Sequence, residues 1–210
     1  MDYKFICIEG NIGAGKTSLA KKISVDCNAK LILEQFEENP FLPNFYKNPD
    51  RFAFPLELYF MAERYKQLKD IQLQEFFSPF TISDYFFIKS RLFAQNNLNS
   101  DELNLFYRLF DIMLASLPKP DLLIYLHSEV DRLKINIKDR HRSYEQNISD
   151  KYLINIQQKY FDFFRKQNDF PVLIIDVSDI DFLKDKEVYN KIKESLGNSY
   201  DIGIHKLMLK

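Results

Sequence analysis

Phe5-Ile6-Cys7-Ile8-Glu9 runs directly into Gly10-Asn11-Ile12-Gly13-Ala14-Gly15-Lys16-Thr17, and the join between these two stretches decides the fold. The first is a short apolar run of the kind that forms a buried strand. The second satisfies G-x-x-x-x-G-K-[ST] at every fixed position, and a helix is predicted from Lys16 to Val25. Strand, glycine-rich turn and helix in that order form a phosphate-binding loop. Glycine tolerates φ > 0, which lets successive N–H groups converge on phosphate oxygens. The helix N-terminus adds the positive end of its dipole. Lys16 then reaches the β- and γ-phosphates of ATP, and the Thr17 hydroxyl is placed to ligate Mg²⁺.

Outward from that loop, four more short runs rich in Ile, Leu, Val or Phe read as strands: Leu31 to Glu34, Phe80 to Ser83, Leu122 to His127 and Val172 to Val177. Helical stretches are predicted between and after them at 50–68, 86–98, 101–117, 129–139, 150–167 and 181–196. Strands alternating with helices predict an α/β P-loop three-layer sandwich, its five-stranded parallel sheet flanked by helices on both faces. Pro118 and Pro120 break the chain just before the fourth strand. No repeat, linker or low-complexity tract interrupts residues 1–210, so a single domain is expected. The segment from Ser199 to Lys210 is apolar and basic by turns, and its pattern predicts no element.

Composition narrows the partners. With 29 basic against 30 acidic side chains, the formal charge of -1 gives no broad electrostatic footprint for nucleic acid. Cys7 lies in an apolar run and reads as a buried free thiol. Neither a signal-peptide pattern nor a run of about 20 apolar residues is present, which predicts a cytoplasmic protein with small-molecule partners and no membrane contact.

A phosphoryl acceptor must be held in line and relieved of a proton, commonly by a carboxylate beyond the C-terminal strand ends. Glu34 and Asp84 are placed there, although Glu34 also opens the acidic stretch Glu34-Gln35-Phe36-Glu37-Glu38, which alone would suit a solvated loop. Glu57 is more informative. On a helix it shares a face with Ala53, Phe54, Phe60, Met61 and Arg64, and a carboxylate among apolar neighbours needs a partner. Arg64 or the edge of a ligand can supply one. A third feature is the basic cluster within Lys134 to Glu145, which can fold over the donor and neutralise charge on the transferring group, although in isolation it would suit a solvated helix end.

These residues resemble the deoxynucleoside kinase family, and its bacterial deoxyguanosine kinase branch in particular. The resemblance spans nearly the whole chain. It rests on the phosphate loop, Leu33-Glu34, Glu38-Asn39-Pro40-Phe41-Leu42, Phe52-Ala53-Phe54-Pro55-Leu56-Glu57 and Arg64-Tyr65-Lys66-Gln67-Leu68. It continues with Ser83-Asp84-Tyr85, Leu117-Pro118-Lys119-Pro120-Asp121, Arg140-His141-Arg142 with Glu145, and Asp181-Phe182. The resemblance implies that Glu34 is the general base for a 5′-hydroxyl, and that Tyr46 and Glu145 hold the sugar 3′-hydroxyl. Glu57 falls where many members carry a base-reading Gln, and Arg64 lies beside the base. By the same resemblance Arg140 and Arg142 are lid arginines on the phosphates, Arg140 catalytic with Lys16 and Glu34, and Asp181-Phe182 holds the adenine of ATP. Thr17 and Asp84 would hold Mg²⁺, and a homodimer is implied.

Three departures stand out. The Arg that follows the acid after the third strand is absent from Asp84-Tyr85-Phe86, leaving Lys89 or Arg91 to take its task. An earlier lid Arg is replaced by Asn136, and a lid Gly by His141, which predicts a stiffer turn. Glu57 in place of Gln bears on the base: guanine offers N1–H and N2–H₂ to an acceptor-only carboxylate, whereas adenine sets a bare N1 lone pair against it. Deoxyguanosine is therefore expected first and deoxyadenosine second.

Two other functions fit the phosphate loop. A nucleoside monophosphate kinase would need a positively charged acceptor pocket, whereas Glu34, Glu57 and Glu145 supply negative charge. A catalytically inactive nucleotide-binding scaffold would keep the fold and lose turnover.

Overall fold

The computed structural model describes residues 3–36, 38–69, 71 and 78–209. Glu37 of the acidic stretch, together with Met1, Asp2 and Lys210, lies outside them. Six strands build one sheet: β1 (Phe5–Gly10), β2 (Lys30–Ile32), β3 (Thr81–Ser83), β4 (Leu122–His127), β5 (Pro171–Asp176) and β6 (Gly203–Leu207). Their order is β2-β3-β1-β4-β5-β6, every neighbouring pair parallel.

Parallel strands covered on both faces are apolar throughout, and β1 is buried along its whole length. The pleat sorts the side chains. Ile6, Ile8, Leu122, Ile124, Leu126, Leu173 and Ile175 face one layer, while Phe5, Cys7, Leu123, Tyr125, Val172 and Ile174 face the other. Helices α1 (Lys16–Cys27) and α8 (Lys186–Ser195) close the first layer with Leu19, Ile23, Tyr189 and Ile192. The second is closed by α4 (Ile88–Asn97), α5 (Ser100–Leu114) and α7 (Asp150–Lys166) through Leu92, Phe106, Phe110, Ile156 and Tyr160. Truncating any of these buried side chains to Ala would cost about 2–5 kcal/mol.

Helices α2 (Leu42–Phe45) and α3 (Pro49–Leu68) form a smaller apolar cluster over the C-terminal end of the sheet, from Leu42, Phe45, Ala53, Leu56 and Phe60. Asn48 caps α3 by accepting from the Arg51 N–H at 3.4 Å, and Pro49 opens it at a position where no N–H is needed. Helix α6 (Val130–Asp139) leads into the lid, Arg140 to Glu145.

Four differences from the sequence reading have physical causes. The sheet has six strands where five were expected. β6 lies at the sheet edge with Ile204 and Lys206 facing out, so the tail that contains it lacks the continuous apolar run of an interior strand. Glu34 does not end β2 but lies two residues beyond it. α8 begins at Lys186 rather than 181, because the Asp181 carboxylate accepts the Leu183 and Lys184 N–H groups and holds that stretch as a turn. The last difference is α2, too short for its pattern to register.

Candidate active site

The order of the strands reverses at β1, and the crevice beyond the C-terminal strand ends is where such a sheet binds ligands. Each strand delivers one part of the site there. β1 feeds the phosphate loop, β2 leads to Glu34, β3 to Asp84, β4 to α6 and the lid, and β5 to the turn at residues 177–183.

One cleft is lined by Gly13, Gly15, Lys16 and Thr17 together with Arg140, Arg142, Asp181 and Phe182. Gly13 and Gly15 have φ of 84° and 89°, values that strain any residue with a Cβ. A Cβ on Gly15 would also sit 2.9 Å from the Phe182 ring. Gly10 and Asn11 do not line the cleft, and the Asn11 amide donates to the Leu153 carbonyl at 2.8 Å. Lys16 Nζ donates to the Asn11 carbonyl at 2.8 Å. Burial, with repulsion from Lys89, lowers its pKa from 10.5 to about 8. An arriving phosphate would restore the charge.

A second cavity meets the first at Lys16, Thr17, Arg140 and Arg142. Glu34, Tyr46, Glu57, Arg64, Asp84 and Glu145 all line it. Glu34 Oε1 accepts from Arg64 Nε at 2.8 Å and Nη2 at 2.6 Å, and its Oε2 accepts from Lys89 Nζ at 2.6 Å. Burial alone would raise the Glu34 carboxyl, but the charges of Lys89 and Arg64 hold it well below the usual carboxylate range. Of Lys89 and Arg91, Lys89 is the one that reaches Glu34. Arg91 turns away, its guanidinium 4.7 Å from the Tyr107 ring.

Glu57 is 1% exposed, and its partner is not Arg64. Arg64 is committed to Glu34 and to Ser90 Oγ at 2.7 Å, while Glu57 Oε1 accepts from the Asn97 amide at 2.7 Å. Glu57 Oε2 is buried with no hydrogen-bond partner. Burial raises the Glu57 pKa from 4.5 to about 7, against the pull of Arg64 and Asn97. A half-satisfied buried carboxyl costs free energy unless something completes it.

Glu145, 5% exposed, accepts from Arg142 Nη1 at 3.2 Å and from Arg140 Nη2. Both lid arginines thus grip the glutamate that lies beside Tyr46, whose ring stacks on Tyr144 at 6.0 Å. The Arg142 guanidinium also lies 3.5 Å over the Phe36 ring. His141 adopts φ 55°, the left-handed conformation that a glycine would take without strain. Asn136, at the other departure, ties the lid helix to the phosphate loop by donating to the Gly13 carbonyl at 2.8 Å.

Thr17 Oγ1 donates to Asp84 Oδ2 at 2.5 Å, and Asp84 Oδ1 accepts the Glu34 N–H at 2.8 Å. A hydroxyl and a carboxylate side by side at the mouth of a phosphate loop are hard oxygen donors that suit Mg²⁺. Among the described residues no group of three or more His, Cys, Asp or Glu side chains could hold a metal. Phosphate oxygens of a ligand would have to complete the shell at Thr17 and Asp84.

Several residues in or beneath these cavities escaped the sequence reading. Glu9 lines neither cavity and is fully buried, accepting from the Phe86 N–H and the Tyr160 hydroxyl at 2.7 Å each, and burial raises its pKa. An acid closing an otherwise apolar strand was the available signal. Asn97, Tyr152 and Phe36 carried none, because only the packing of α4, α7 and the loop after β2 brings them to the cavity.

Comparison with known proteins adds three findings. The family model described as deoxynucleoside kinase matches residues 6–200. The chain is 33% identical over 194 residues to a deoxyguanosine kinase of Bacillus subtilis (strain 168), covering 90% of this chain and 93% of that protein. It is 31% identical to a deoxyadenosine kinase of Lactobacillus acidophilus, over 91% and 95% of the two chains. Among solved structures, a deoxyadenosine kinase from M. mycoides with bound dATP superposes with a TM-score of 0.80 at 25% identity, covering 93% of this chain and 100% of that one. No helix among the described residues is long and apolar enough to cross a membrane.

Proposed function

Because the chain belongs to the deoxynucleoside kinase family, a family of ATP-dependent phosphotransferases, we propose that it transfers the γ-phosphoryl group of ATP to the 5′-hydroxyl of a purine deoxyribonucleoside. Deoxyguanosine is the first substrate and deoxyadenosine the second.

The 5′-oxygen forms a bond to the γ-phosphorus while the bond from that phosphorus to the β,γ-bridging oxygen breaks. ADP leaves with the electron pair, and the hydroxyl proton passes to Glu34. Clamped by Lys89 and Arg64, Glu34 is a weak base that stays ionised. That suits a loose transition state, in which the proton moves late and charge stabilisation dominates. Lys16 and the lid arginines Arg140 and Arg142 neutralise the charge that develops on the transferring group and on ADP. Mg²⁺ held by Thr17 and Asp84 would supply further neutralisation of the phosphate oxygens when bound. Tyr46 and Glu145 hold the sugar, and Asp181-Phe182 the donor's adenine.

One observation carries the purine assignment: the unpartnered Glu57 Oε2, buried in the same cavity as Glu34. Guanine completes it, N1–H and N2–H₂ donating to the two carboxylate oxygens. Adenine completes it only when Glu57 carries a proton.

Glu34 is matched by two cations and Glu145 by two more, so the acceptor pocket is not negatively charged as the three glutamates suggest in sequence. Family membership, not pocket charge, separates the two acceptors. The test is direct: labelled ATP, Mg²⁺ and each of the four natural deoxynucleosides or their monophosphates, with products separated. Highest kcat/KM on a pyrimidine overturns the purine reading. Binding of ATP without transfer to any of them overturns the enzyme.

A further inference from the structure

Arg132 is the third residue of helix α6 and lines the donor cleft. Its Nε is buried with no hydrogen-bond partner, and the guanidinium forms no ion pair among the described residues. An arginine without a counter-charge on the wall of an anion-binding cleft is a group awaiting a ligand. Arg132, Asn136 and Arg140 recur every four residues, so they share one face of the helix and its C-terminal extension.

Position along that helix indicates which part of the donor Arg132 meets. The lid arginines lie over the phosphate loop at one end, and Asn136 touches the loop at Gly13. At the other end the Glu129 N–H donates to Ser178 Oγ at 3.1 Å, joining the start of α6 to the turn after β5. Arg132 is one turn, about 5–6 Å, from Asn136 toward that junction. From that turn the cleft is lined by the apolar Val177 and Ile180, and by Phe182, whose ring lies against Gly15. A flat, partly apolar group fits between an apolar wall and a planar guanidinium, and a phosphate does not.

We infer that Arg132 is a donor-binding residue that faces the purine ring of ATP, at a point on α6 where Asn136 has left the lid with one arginine fewer. This rests on the reading of the cleft as the ATP site. Stacking of a guanidinium on a base is the interaction involved, strongest where water is excluded and poorly imitated by lysine.

The experiment titrates ATP and inorganic tripolyphosphate separately into the wild-type protein, Arg132→Ala and Arg132→Lys. For Arg132→Ala, ATP binding should weaken about tenfold, equivalent to about 1.4 kcal/mol, and tripolyphosphate binding should change less than about twofold. Arg132→Lys should stay closer to the alanine variant than to wild type for ATP. In turnover, the KM for ATP should rise by about the same factor with kcat within about twofold, and the KM for deoxyguanosine should not move. Equal weakening of both ligands overturns the base contact in favour of a phosphate contact. Unchanged ATP affinity, or full recovery with lysine, overturns it as well. Wild-type protein that failed to bind ATP would instead bring down the reading of the cleft itself.

Discussion

On the proposed base-reading role of Glu57, the choice between two purines becomes a function of pH. Its pKa, raised by burial to about 7, places the titration in the accessible range. The groups facing it are Asn97, Arg64, Lys89, Glu34 and Tyr152, and of these only Asn97 bonds to it. Guanine requires the ionised carboxylate, whose share falls tenfold for each pH unit below the pKa. Adenine requires the protonated carboxyl, which donates to N1 and accepts from N6–H₂, and whose share falls tenfold for each unit above. The ratio of kcat/KM for deoxyguanosine over deoxyadenosine then follows the ratio of ionised to protonated Glu57, about tenfold per pH unit. Between about pH 6 and about pH 8 the preference should swing roughly a hundredfold toward deoxyguanosine. Both nucleosides compete in one mixture with ATP, and the two monophosphates are separated and counted. Titrations of Lys16 or of ATP act equally on both products and cancel. In Glu57→Gln the ratio should be flat with pH and displaced toward deoxyadenosine. A wild-type ratio constant within about twofold across that interval would refute the reasoning, because one proton on the base-reading group cannot leave the ratio unmoved.

Four other outcomes are expected. Glu57 has a raised folded-state pKa, so the folded protein binds the extra proton between 4.5 and about 7 and loses stability as pH rises through that window. Glu57→Gln should therefore gain on wild type by up to about 3 kcal/mol at pH 8 relative to pH 5, read from urea midpoints, and a gap that does not widen argues against the buried charge. Lys89→Met removes one of the two cations on Glu34, whose depressed pKa then rises. The acid limb of the kcat/KM profile should move to higher pH and kcat should fall about tenfold or more, while an unshifted limb would mean that Arg64 alone sets the ionisation. Lys16→Ala should lower kcat by roughly a hundred- to a thousandfold in a steady-state assay, and near-normal turnover would contradict the role given to the phosphate loop. His141→Gly should relieve the left-handed strain and raise the urea midpoint by the equivalent of about 1 kcal/mol, a lower midpoint showing that the histidine ring contributes more than its backbone costs.

Some of this could be read from the chain and some could not, and the difference lies in what fixes each feature. The phosphate loop was legible because its glycines, its lysine and its flanking strand and helix are local in sequence. The interior strands were legible for the same reason, each being a continuous apolar run. β6 was not: half of an edge strand faces water, and its alternation over five residues resembles a tail. At the site, the acid of Glu57 in an apolar stripe was visible, but of the two partners the sequence offered, Arg64 does not bond to it, and Asn97, which does, carried no signal. Arg64 is near in sequence, whereas Asn97 arrives from α4, and only the crossing of α3 and α4 decides that Arg64 turns to Glu34. The choice between Lys89 and Arg91 depended on that packing too. Charge summed over the acceptor residues misled for a related reason: the cations that neutralise Glu34 and Glu145 come from α3, α4 and the lid.

The contact between Gly15 and the Phe182 ring ties together two segments that are far apart along the chain. A methyl group at position 15 would displace the ring, and a smaller side chain at 182 would open a gap behind the phosphates. Neither position can drift alone without disturbing how the donor sits. Within a lineage the two should covary, and a swap of the Asp181-Phe182 turn between relatives should succeed only when the glycine-rich segment travels with it.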